Sequence, residues 1–599
     1  MSDKYISMKN LRFLLYDVHN IQDLTEHAYY QDHDRETFDL VLDTAEKIGT
    51  DLLYPYHDEM DKNPPEFSDG KVSVHPHVRK IMKEFGEGEW YAADFPYDAG
   101  GQQLPVSISA AIGVIFAAAN MGAGYQMLSS AAARLITTFG NQTLIDKYVP
   151  HMLSGRWQGT MAMTEPQAGS SLTDLKTQAI PTDEGYYHIR GGKVFISAGD
   201  HDGVDNIVHL LLAKVKGAPA GVKGISLFVV PKLRPEDNGE LVPNDVSTIG
   251  IFHKLGIKVI PTTQLSFGDN GDCRGYLVGE LNQGLTCMFQ MMNEARIGVG
   301  MGAAAIASAA YYASLEYAQE RPQGRSVTNR DPESPQVRII EHADVKRMLL
   351  FQRAVVEGSL SLGIQCARYA DLEIAAEGEE KERSALLLDL LTPIVKTYPS
   401  EMAIHSVSQG MQILGGSGYC DEYPLEKYYR DARLNPIHEG TTGIQGMDLL
   451  GRKVLMKGGK AFELYLQELQ TSIDAAREVE ALQPYAEQLA GAMKTLKEVT
   501  SGLLSVGAKD PEVFVADATL YLEFFGLITV AWQWLLQGVK IQEALAQELS
   551  ESEDNFYQGK MSTCQFYFHY ELPKILGLAP RLREADGMTV RMKEEHFED

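Results

Sequence analysis

One acidic side chain in this sequence lies where a general base could work. Glu439 follows Pro436, which disfavours helix for Asn435, and precedes Gly440, which allows backbone angles that other residues avoid. The apolar residues that follow at helical spacing are Ile444, Met447 and Leu450. The pattern predicts a tight loop that presents a carboxylate just before a helix, an arrangement that suits proton abstraction in a pocket. An ordinary acid favoured by the helix dipole is the alternative interpretation of this loop alone.

Length and charge limit the classes of function. The chain has 599 residues, which is too many for one hydrophobic core, so we expect several domains. Hydrophobic residues make up 44% and charged residues 23%, as in ordinary soluble globular proteins. The net charge of -27 argues against nucleic acid as the main partner, because such binders need a positive face.

Cysteine usage and apolar stretches bear on the compartment. The five cysteines are Cys273, Cys287, Cys366, Cys420 and Cys564. They form no CxxC pair or metal-ligand spacing, and residues 1–17 do not resemble a secretory signal, so a reducing cytoplasm is expected and no metal site is predicted. The most membrane-like stretch, 524–539, is short and contains two glutamines, so we expect a buried helix and no stable membrane insertion.

The periodicity divides the chain into five segments. We predict an extension over 1–37, a helical domain over 38–156, a β domain over 157–279, a helical bundle over 280–460 and an additional helical domain over 461–599. The predicted fold class is therefore mainly α with a central β domain.

Four expectations about secondary structure and packing follow from this division. No strand is expected before 157, and the pair Gly191-Gly192 inside 186–196 predicts a hairpin turn. Strands are expected at 207–215, 225–231 and 262–267. The glycines and alanines of 297–313 favour close helix packing over a dinucleotide fingerprint, because no strand precedes them.

Four separated stretches carry residues suited to ligand binding. Residues 161–170 (Met-Ala-Met-Thr-Glu-Pro-Gln-Ala-Gly-Ser) predict a turn whose amides and hydroxyls can face a ligand, and 195–199 follow with an aromatic and a hydroxyl. Residues 293–296 and 320–325 contain arginines, whose planar donor forks suit phosphate, although surface arginines before a loop are the alternative. The fourth stretch is a glycine-rich turn within 412–419, followed by the Glu439 loop.

These stretches, in this order over roughly 38–455, resemble the acyl-CoA dehydrogenases, flavoproteins that desaturate acyl-CoA thioesters between Cα and Cβ. The resemblance implies a helical N-terminal domain, a β-barrel middle domain, a helical bundle and FAD as the cofactor. It implies that Glu439 removes the α-proton of an acyl-CoA while the β-hydrogen leaves as hydride to flavin N5. Some branches carry the base beside the position of Arg296, where this chain has Ala295, so Glu439 is the candidate.

The resemblance also assigns the remaining site residues. Cofactor binding falls to Met161, Met163, Thr164, Gly169, Ser170, Phe195, Ser197, Arg321, Gln323, Arg325, Gln412, Gly415, Gly416, Thr441 and Gly443. Substrate binding falls to Ser170, Asn293, Arg296 and Gly440. His438 stands where the family often has tyrosine, and it could tune the pocket or simply pack.

The last helical segment is similar to the extension of larger bacterial members, including the 3-methylmercaptopropionyl-CoA dehydrogenase branch. A bundle of this kind could cover a face that shorter members bury in a tetramer, so a homodimer is expected. The resemblance implies electron-transfer flavoprotein as the electron acceptor.

Three other functions remain open from the sequence. An acyl-CoA oxidase that uses oxygen has related chemistry, and the DNA-binding alkylation-response branch has the same fold but a basic surface. A non-catalytic acyl-CoA-binding protein is the third alternative. The net charge of -27 argues against the second, and Glu439 in its loop argues against the third.

Overall fold

The computed structural model describes residues 4–236, 238–329 and 331–598, without the side chains at 126 and 290–292. The helices before residue 157 are α1 (Met8–Arg12), α2 (Arg35–Ile48), α3 (His57–Lys62), α4 (His77–Glu87), α5 (Val106–Asn120), α6 (Tyr125–Phe139) and α7 (Gln142–Leu153). The helices after residue 280 are α8 (Gly284–Glu320), α9 (Ala343–Ala375), α10 (Gly378–Leu414), α11 (Leu425–Ala432), α12 (Thr442–Gly451), α13 (Lys460–Arg477), α14 (Gln483–Gly507), α15 (Pro511–Ala516), α16 (Ala518–Leu545), α17 (Glu551–Phe566), α18 (Ile575–Glu584) and α19 (Met588–Arg591).

The chain folds into two compact units. The helical unit comprises Met1–Asp39, Pro105–Val114 and Arg296–Asp599. The mixed unit comprises Leu40–Leu104 and Ile115–Ala295 and contains the β-sheets.

The strands of the mixed unit follow the predicted positions in the middle of the chain. They are β1 (Glu66–Ser68), β2 (Lys71–Ser73), β3 (Trp157–Ala162), β4 (Gln178–Pro181), β5 (Tyr187–Ser197), β6 (Asn206–Val215), β7 (Ile225–Pro231), β8 (Leu233–Pro235), β9 (Leu241–Pro243), β10 (Val246–Ile251), β11 (Thr262–Phe267) and β12 (Arg274–Val278). The main sheet has the order β10-β11-β5-β12-β7-β6-β3, and β4 pairs with both β5 and β6. Among its described strands, the β3–β6 and β4–β6 pairs are parallel and the other pairs are antiparallel.

The central strands of this sheet are buried on both faces. In β6, Val208, Leu210 and Leu212 face a cluster that includes residues of α6 and α7, and Leu211 and Ala213 face a second cluster. Successive side chains of a strand point to opposite faces, so a strand covered on both sides must be apolar at nearly every position. This requirement explains the continuous apolar runs at 207–215 and 225–231, where the predicted strands are confirmed.

The predicted hairpin around Gly191-Gly192 is wrong, because β5 runs through both glycines as one strand. Its first residues pair with β4 and β12, and from Gly191 onward it pairs with β11. A Cβ at Gly191 would lie 2.5 Å from Oγ1 of Thr177. The glycine therefore marks a close backbone approach where the strand changes partners, a use that sequence alone does not separate from a turn.

A short hairpin was missed in the helical N-terminal region. Strands β1 and β2 pair antiparallel around Asp69 and Gly70, both of which have positive φ (50° and 75°). Asp-Gly is a strong hairpin signal. Each strand has three residues, so the alternation of apolar and polar side chains is too short to be recognised in the sequence.

Close packing of the glycine-rich stretch 297–313 is confirmed in the helical unit. A Cβ at Gly300 of α8 would lie 1.8 Å from the carbonyl oxygen of Val395 in α10. Pro399 stands four residues after Val395 and has no N–H, so this carbonyl lacks its usual helical donor. The two helix backbones meet where only glycine fits.

The additional C-terminal helices pack around α16. This helix contacts α9, α10 and α12 as well as α13, α14, α17 and α18. The indole of Trp534 donates to the carbonyl of Ala354 in α9 (3.1 Å), and a Cβ at Gly446 of α12 would lie 2.7 Å from the carbonyl oxygen of Ala518. The C-terminal helices therefore belong to the same compact unit as the helices that flank Glu439.

Three described helical stretches are long and apolar enough to cross a membrane, namely Val106–Ala123, Asn293–Glu320 and Ala518–Leu545. The buried share of their most apolar windows is 67%, 78% and 78% respectively. The last one contains the predicted buried stretch 524–539, and its side chains pack inside the helical unit.

The N-terminal segment is anchored in the helical unit by buried polar contacts. The hydroxyl of Tyr30 donates to Oδ1 of Asp371 (2.9 Å). The ammonium of Lys560 donates to Oδ1 of Asn10 and to Oε2 of Glu357, each at 2.7 Å. These bonds join α1, α9 and α17, so the two ends of the chain stabilise the same helix.

The Gly300–Val395 contact predicts a stability change. Gly300→Ala places a methyl group against a backbone carbonyl and should lower the free energy of unfolding by about 1–3 kcal/mol through overpacking. Thermal unfolding followed by circular dichroism measures it. The control Gly491→Ala adds a methyl group in open space on α14 and should raise stability by up to about 1 kcal/mol. Equal melting temperatures for the two variants would contradict the packing argument.

Candidate active site

The Glu439 loop lies between α11 and α12, and α12 is the helix predicted to follow it. Thr441 caps α12, because its Oγ1 accepts a hydrogen bond from the amide of Ile444 (3.3 Å). Thr442 donates from its hydroxyl to Oε1 of Glu401 in α10 (2.5 Å), and its amide donates to the carbonyl of Pro436 (3.0 Å). The loop is thus closed on itself and tied to α10.

The backbone is left-handed at the predicted base. Glu439 has φ 52° and Gly440 has φ 87°. A residue other than glycine in this region costs about 1–3 kcal/mol and persists only where its surroundings enforce it. The side chain of Gln445 donates to the carbonyl of Glu439 (3.2 Å), and a Cβ at Gly440 would lie 2.4 Å from the same amide nitrogen. Glycine is therefore required at 440.

The charge on Glu439 is set by burial and by two cations. Burial raises the pKa of Glu439 above its ordinary value, while Arg296 and Lys396 act in the opposite direction. All three residues belong to the helical unit. A carboxylate with a raised pKa is a stronger base once it is ionised, which suits it to abstract a weakly acidic proton.

Lys396 was not anticipated from the sequence. Its side chain is fully buried in α10, and its ammonium donates to the carbonyls of Asn435 (2.7 Å) and Gly440 (2.8 Å). Burial lowers the pKa of Lys396 to about 8, although Glu439 and Glu401 oppose this shift.

Arg296, a predicted substrate contact, lies beside the Glu439 loop. Its side chain is 9% exposed, and its Nη1 is 3.7 Å from Oδ2 of Asp448 in α12. Within the part of the chain that the structure describes, its Nε and the Oδ2 of Asp448 are buried without a hydrogen-bond partner. Since buried polar atoms are normally satisfied, these atoms are available to a ligand.

His438 and Asn435 add further polar atoms to the loop. Burial lowers the pKa of His438 to about 4, so its imidazole is neutral at neutral pH. Among the described residues, Nε2 of His438 and both polar side-chain atoms of Asn435 are buried and have no partner.

The predicted nucleotide contacts of the helical unit lie on its surface. Gln412, Gly415 and Gly416 are exposed at the end of α10. The hydroxyl of Tyr317 in α8 donates to Oγ of Ser417 (3.5 Å), which brings this turn beside the helix end that carries Arg321.

The predicted phosphate contacts differ in hydrogen bonding and exposure. Arg325 donates to the carbonyls of Ser334 (2.7 Å) and Pro332 (2.6 Å), so its guanidinium stabilises its own loop. Gln323 and Arg321 are exposed, and the backbone of Gln323 accepts from the ring of His342 (2.8 Å).

In the mixed unit, two predicted flavin-contacting stretches are adjacent. The amide of Val194 donates to the carbonyl of Thr164 (2.9 Å), which joins the turn after β3 to β5. Phe195 is 60% exposed, has φ 59° and stacks on Phe252 with ring centroids 4.5 Å apart. A bulky residue in this backbone region is rare.

The exposed residues nearby can bind a ligand. Met161, Met163 and Thr164 are partly buried, and Gly169, Ser170 and Ser197 are exposed. An exposed aromatic face with neighbouring hydroxyls fits a flat ring system that carries polar edges. Asn293 is partly buried in the same unit.

A buried ion pair supports the turn at Thr164. The ammonium of Lys193 donates to Oε1 of Glu165 (2.9 Å) and to the carbonyls of Met163 (3.0 Å) and Leu212 (2.8 Å). Burial would raise the pKa of Glu165, but Lys193 and hydrogen bonds from Thr177 lower it to about 2. The pair was missed from the sequence, although a lysine inside the strand pattern around 193–196 is a signal of it.

Within the described ranges, no group of three or more His, Cys, Asp or Glu side chains could hold a metal ion. The five cysteines are free, and of these only Cys420 is exposed.

Comparison with known proteins identifies the family. Models of the N-terminal, middle and C-terminal domains of acyl-CoA dehydrogenase match residues 35–156, 160–270 and 282–455, and the model named "Acetyl-CoA dehydrogenase C-terminal like" matches 465–593. A 3-methylmercaptopropionyl-CoA dehydrogenase of Ruegeria pomeroyi is 36% identical over 520 residues, covering 86% of this chain and 87% of that protein. The chain belongs to the acyl-CoA dehydrogenase family.

Other members of the family match this chain over nearly its whole length. A butyryl-CoA dehydrogenase of Syntrophomonas wolfei is 33% identical over 600 residues and covers 95% of each chain. An acyl-CoA dehydrogenase of Bacillus anthracis, solved as a complex with FAD, superposes with a TM-score of 0.73 at 22% identity, over 96% of this chain and 91% of that one. Family membership confirms the predicted fold class, the enzyme class and FAD as the cofactor. The roles of individual residues remain predictions.

The Glu165–Lys193 pair predicts a large effect on stability. Glu165→Gln leaves the Lys193 ammonium buried without a carboxylate and should lower the free energy of unfolding by about 3–5 kcal/mol. Chemical denaturation measures the loss. The control Asp51→Asn removes an exposed pair with Lys47 and should change stability by less than about 0.5 kcal/mol. Similar effects for both variants would refute a supporting role for the buried pair.

Proposed function

We propose that this protein is an FAD-dependent dehydrogenase in which Glu439 removes the α-proton of an acyl-CoA thioester and yields the trans-2-enoyl-CoA. The observation that carries the proposal is the Glu439 loop. It presents a carboxylate with a raised pKa from a left-handed backbone that glycine, Gln445 and Lys396 enforce.

The α-proton of a thioester is too weakly acidic for a carboxylate in water. The negative charge that develops on the thioester oxygen must therefore be stabilised by hydrogen bonds placed where it forms. The amide of Glu439 is the chain's own donor for this purpose. Burial of the loop strengthens this bond and brings the base and the proton closer in pKa.

FAD supplies the acceptor for the β-hydride when it is bound. The residues that would hold it in the mixed unit are Thr164, Ser170, Phe195 and Ser197, which offer hydroxyls and an exposed aromatic face. In the helical unit, the exposed turn at Gly415-Gly416 allows the close backbone approach that a nucleotide needs.

The partners belong to the same proposal. Electron-transfer flavoprotein receives the electrons, and the enzyme acts in the cytoplasm as a homodimer. The packing of α16 on α9, α10 and α12 supports the dimer, because the C-terminal helices cover helical surface that would otherwise need a neighbouring subunit.

Replacement of the base tests the proposal. Glu439→Gln keeps the size of the side chain but removes the base, so the rate of flavin bleaching by acyl-CoA should fall by about 100-fold or more, while the bound flavin stays yellow. The measurement is a screen of straight, branched and thioether acyl-CoAs under anaerobic conditions. The control Glu422→Gln, an exposed acid, should bleach like the wild type.

Three results would redirect the assignment. Normal bleaching by Glu439→Gln removes this residue from its role. Oxygen consumption with acyl-CoA in the absence of another acceptor would indicate an oxidase, and a gel shift with DNA would indicate the alkylation-response type.

The pKa of Glu439 predicts a pH profile. Because burial raises this pKa, the base is protonated at low pH and kcat/KM should rise as pH increases through a value above the ordinary 4.5. Steady-state kinetics between about pH 4 and about pH 9 measure this acid limb. An acid limb at or below the ordinary value would show that the carboxylate is solvated.

A further inference from the structure

We propose that Lys396 is the positioning residue for the base: its buried ammonium clamps the backbone on both sides of Glu439. This inference rests on the proposed function, because it assigns to Glu439 the role of α-proton base. The clamp itself is a feature of the helical unit.

The clamp spans the strained residue. Lys396 donates to the carbonyl of Asn435, four positions before Glu439, and to the carbonyl of Gly440, the position after it. The two bonds fix the entry and the exit of the loop relative to α10. Because a left-handed residue persists only where its surroundings enforce it, these bonds determine which way the Glu439 side chain leaves the backbone.

Burying the Lys396 ammonium costs free energy, because the charge loses its hydration. Lysine is almost never fully buried without an ionic partner, and removing an ion from water costs several kcal/mol. Among the described residues, Lys396 has no carboxylate at ion-pair distance, and its ammonium donates to two backbone carbonyls. By contrast, the buried Lys453 has a carboxylate partner. Its ammonium lies 2.7 Å from Oδ1 of Asp389, a residue of α10.

The charges that face Glu439 come from several elements. Arg296 on α8 and Lys396 on α10 both favour its ionised form, and Glu401 on α10 favours the charge on Lys396. His438 in the loop is neutral, because burial lowers its pKa to about 4. Removal of the Lys396 charge should therefore raise the pKa of Glu439 and move the acid limb to higher pH.

The position of Lys396 along α10 is fixed by helix packing. Its neighbour Val395 has its carbonyl against Gly300 of α8, and Pro393 and Pro399 stand on either side within the helix. The carbonyl of Lys396 accepts from the hydroxyl of Ser400 (2.5 Å). The clamp is therefore built where the backbones of α8 and α10 approach each other closely.

The first test follows the loop without turnover. Lys396→Met keeps the length of the side chain and removes both donors, so amide hydrogen exchange in peptides covering 435–442 should become at least about tenfold faster in the full-length protein. The control Lys453→Met removes a buried lysine from a carboxylate outside the loop and should leave these peptides unchanged. Equal exchange in Lys396→Met and the wild type overturns the clamp.

The second test separates positioning from general destabilisation. With the best acyl-CoA of the screen, Lys396→Met should lower kcat about 100-fold with KM within about threefold, because a misplaced base affects chemistry more than binding. Its acid limb should move to higher pH, and the isotope effect with α-deuterated substrate should increase. Lys396→Arg keeps the charge, so its acid limb should stay in place although kcat falls.

The outcomes distinguish the two proposals. If the wild type bleaches with no acyl-CoA, or Glu439→Gln bleaches normally, the proposed function fails and the exchange test still decides the clamp. If Glu439→Gln behaves as expected and Lys396→Met keeps kcat within twofold, only the inference fails. Should Lys396→Met not fold, Lys396→Gln carries the same tests: a kcat within about twofold of the wild type overturns the clamp, and a loss of at least about tenfold supports it.

Discussion

A carboxylate must lose water to become a strong base, yet it must keep its charge to act as one. In this protein Glu439 is buried enough for its pKa to rise, and Arg296 and Lys396 stand close enough to limit that rise. Several elements contribute to this balance. Helix α8 supplies Arg296, α10 supplies the Lys396 ammonium that binds the loop, and Thr441 in the loop caps α12. The rest of the helical unit is arranged to keep these elements in fixed positions.

The two units use the same device at their predicted site segments. In the mixed unit the ammonium of Lys193 binds the carbonyls of Met163 and Leu212, and in the helical unit that of Lys396 binds the carbonyls of Asn435 and Gly440. An ammonium has three donors and a flexible stem, so one lysine can fix two separate backbone segments. Each lysine is fully buried, which protects these bonds from competition by water.

Local patterns predicted much of the fold and the Glu439 loop. The strands at 225–231 and 262–267 and the helix after Glu439 follow from short-range periodicity and from residue type. The predictions that failed depend on contacts with residues elsewhere in the sequence. Gly191-Gly192 lie where β5 changes its neighbouring strand, and only the fold brings Thr177 against Gly191. Lys396 was missed for the same reason, although a lone lysine between Pro393 and Pro399 in an apolar helix was a visible signal.

The contact between Gly446 and Ala518 has a consequence for biosynthesis. Helix α12 directly follows the Glu439 loop, but the surface on which it rests, α16, is encoded about seventy residues later. A ribosome therefore releases the Glu439 loop before the helix that braces it has been made. A nascent chain cannot complete this part of the structure until Ala518–Leu545 has emerged, so translation that stops early yields a polypeptide that contains Glu439 but lacks the helix behind α12.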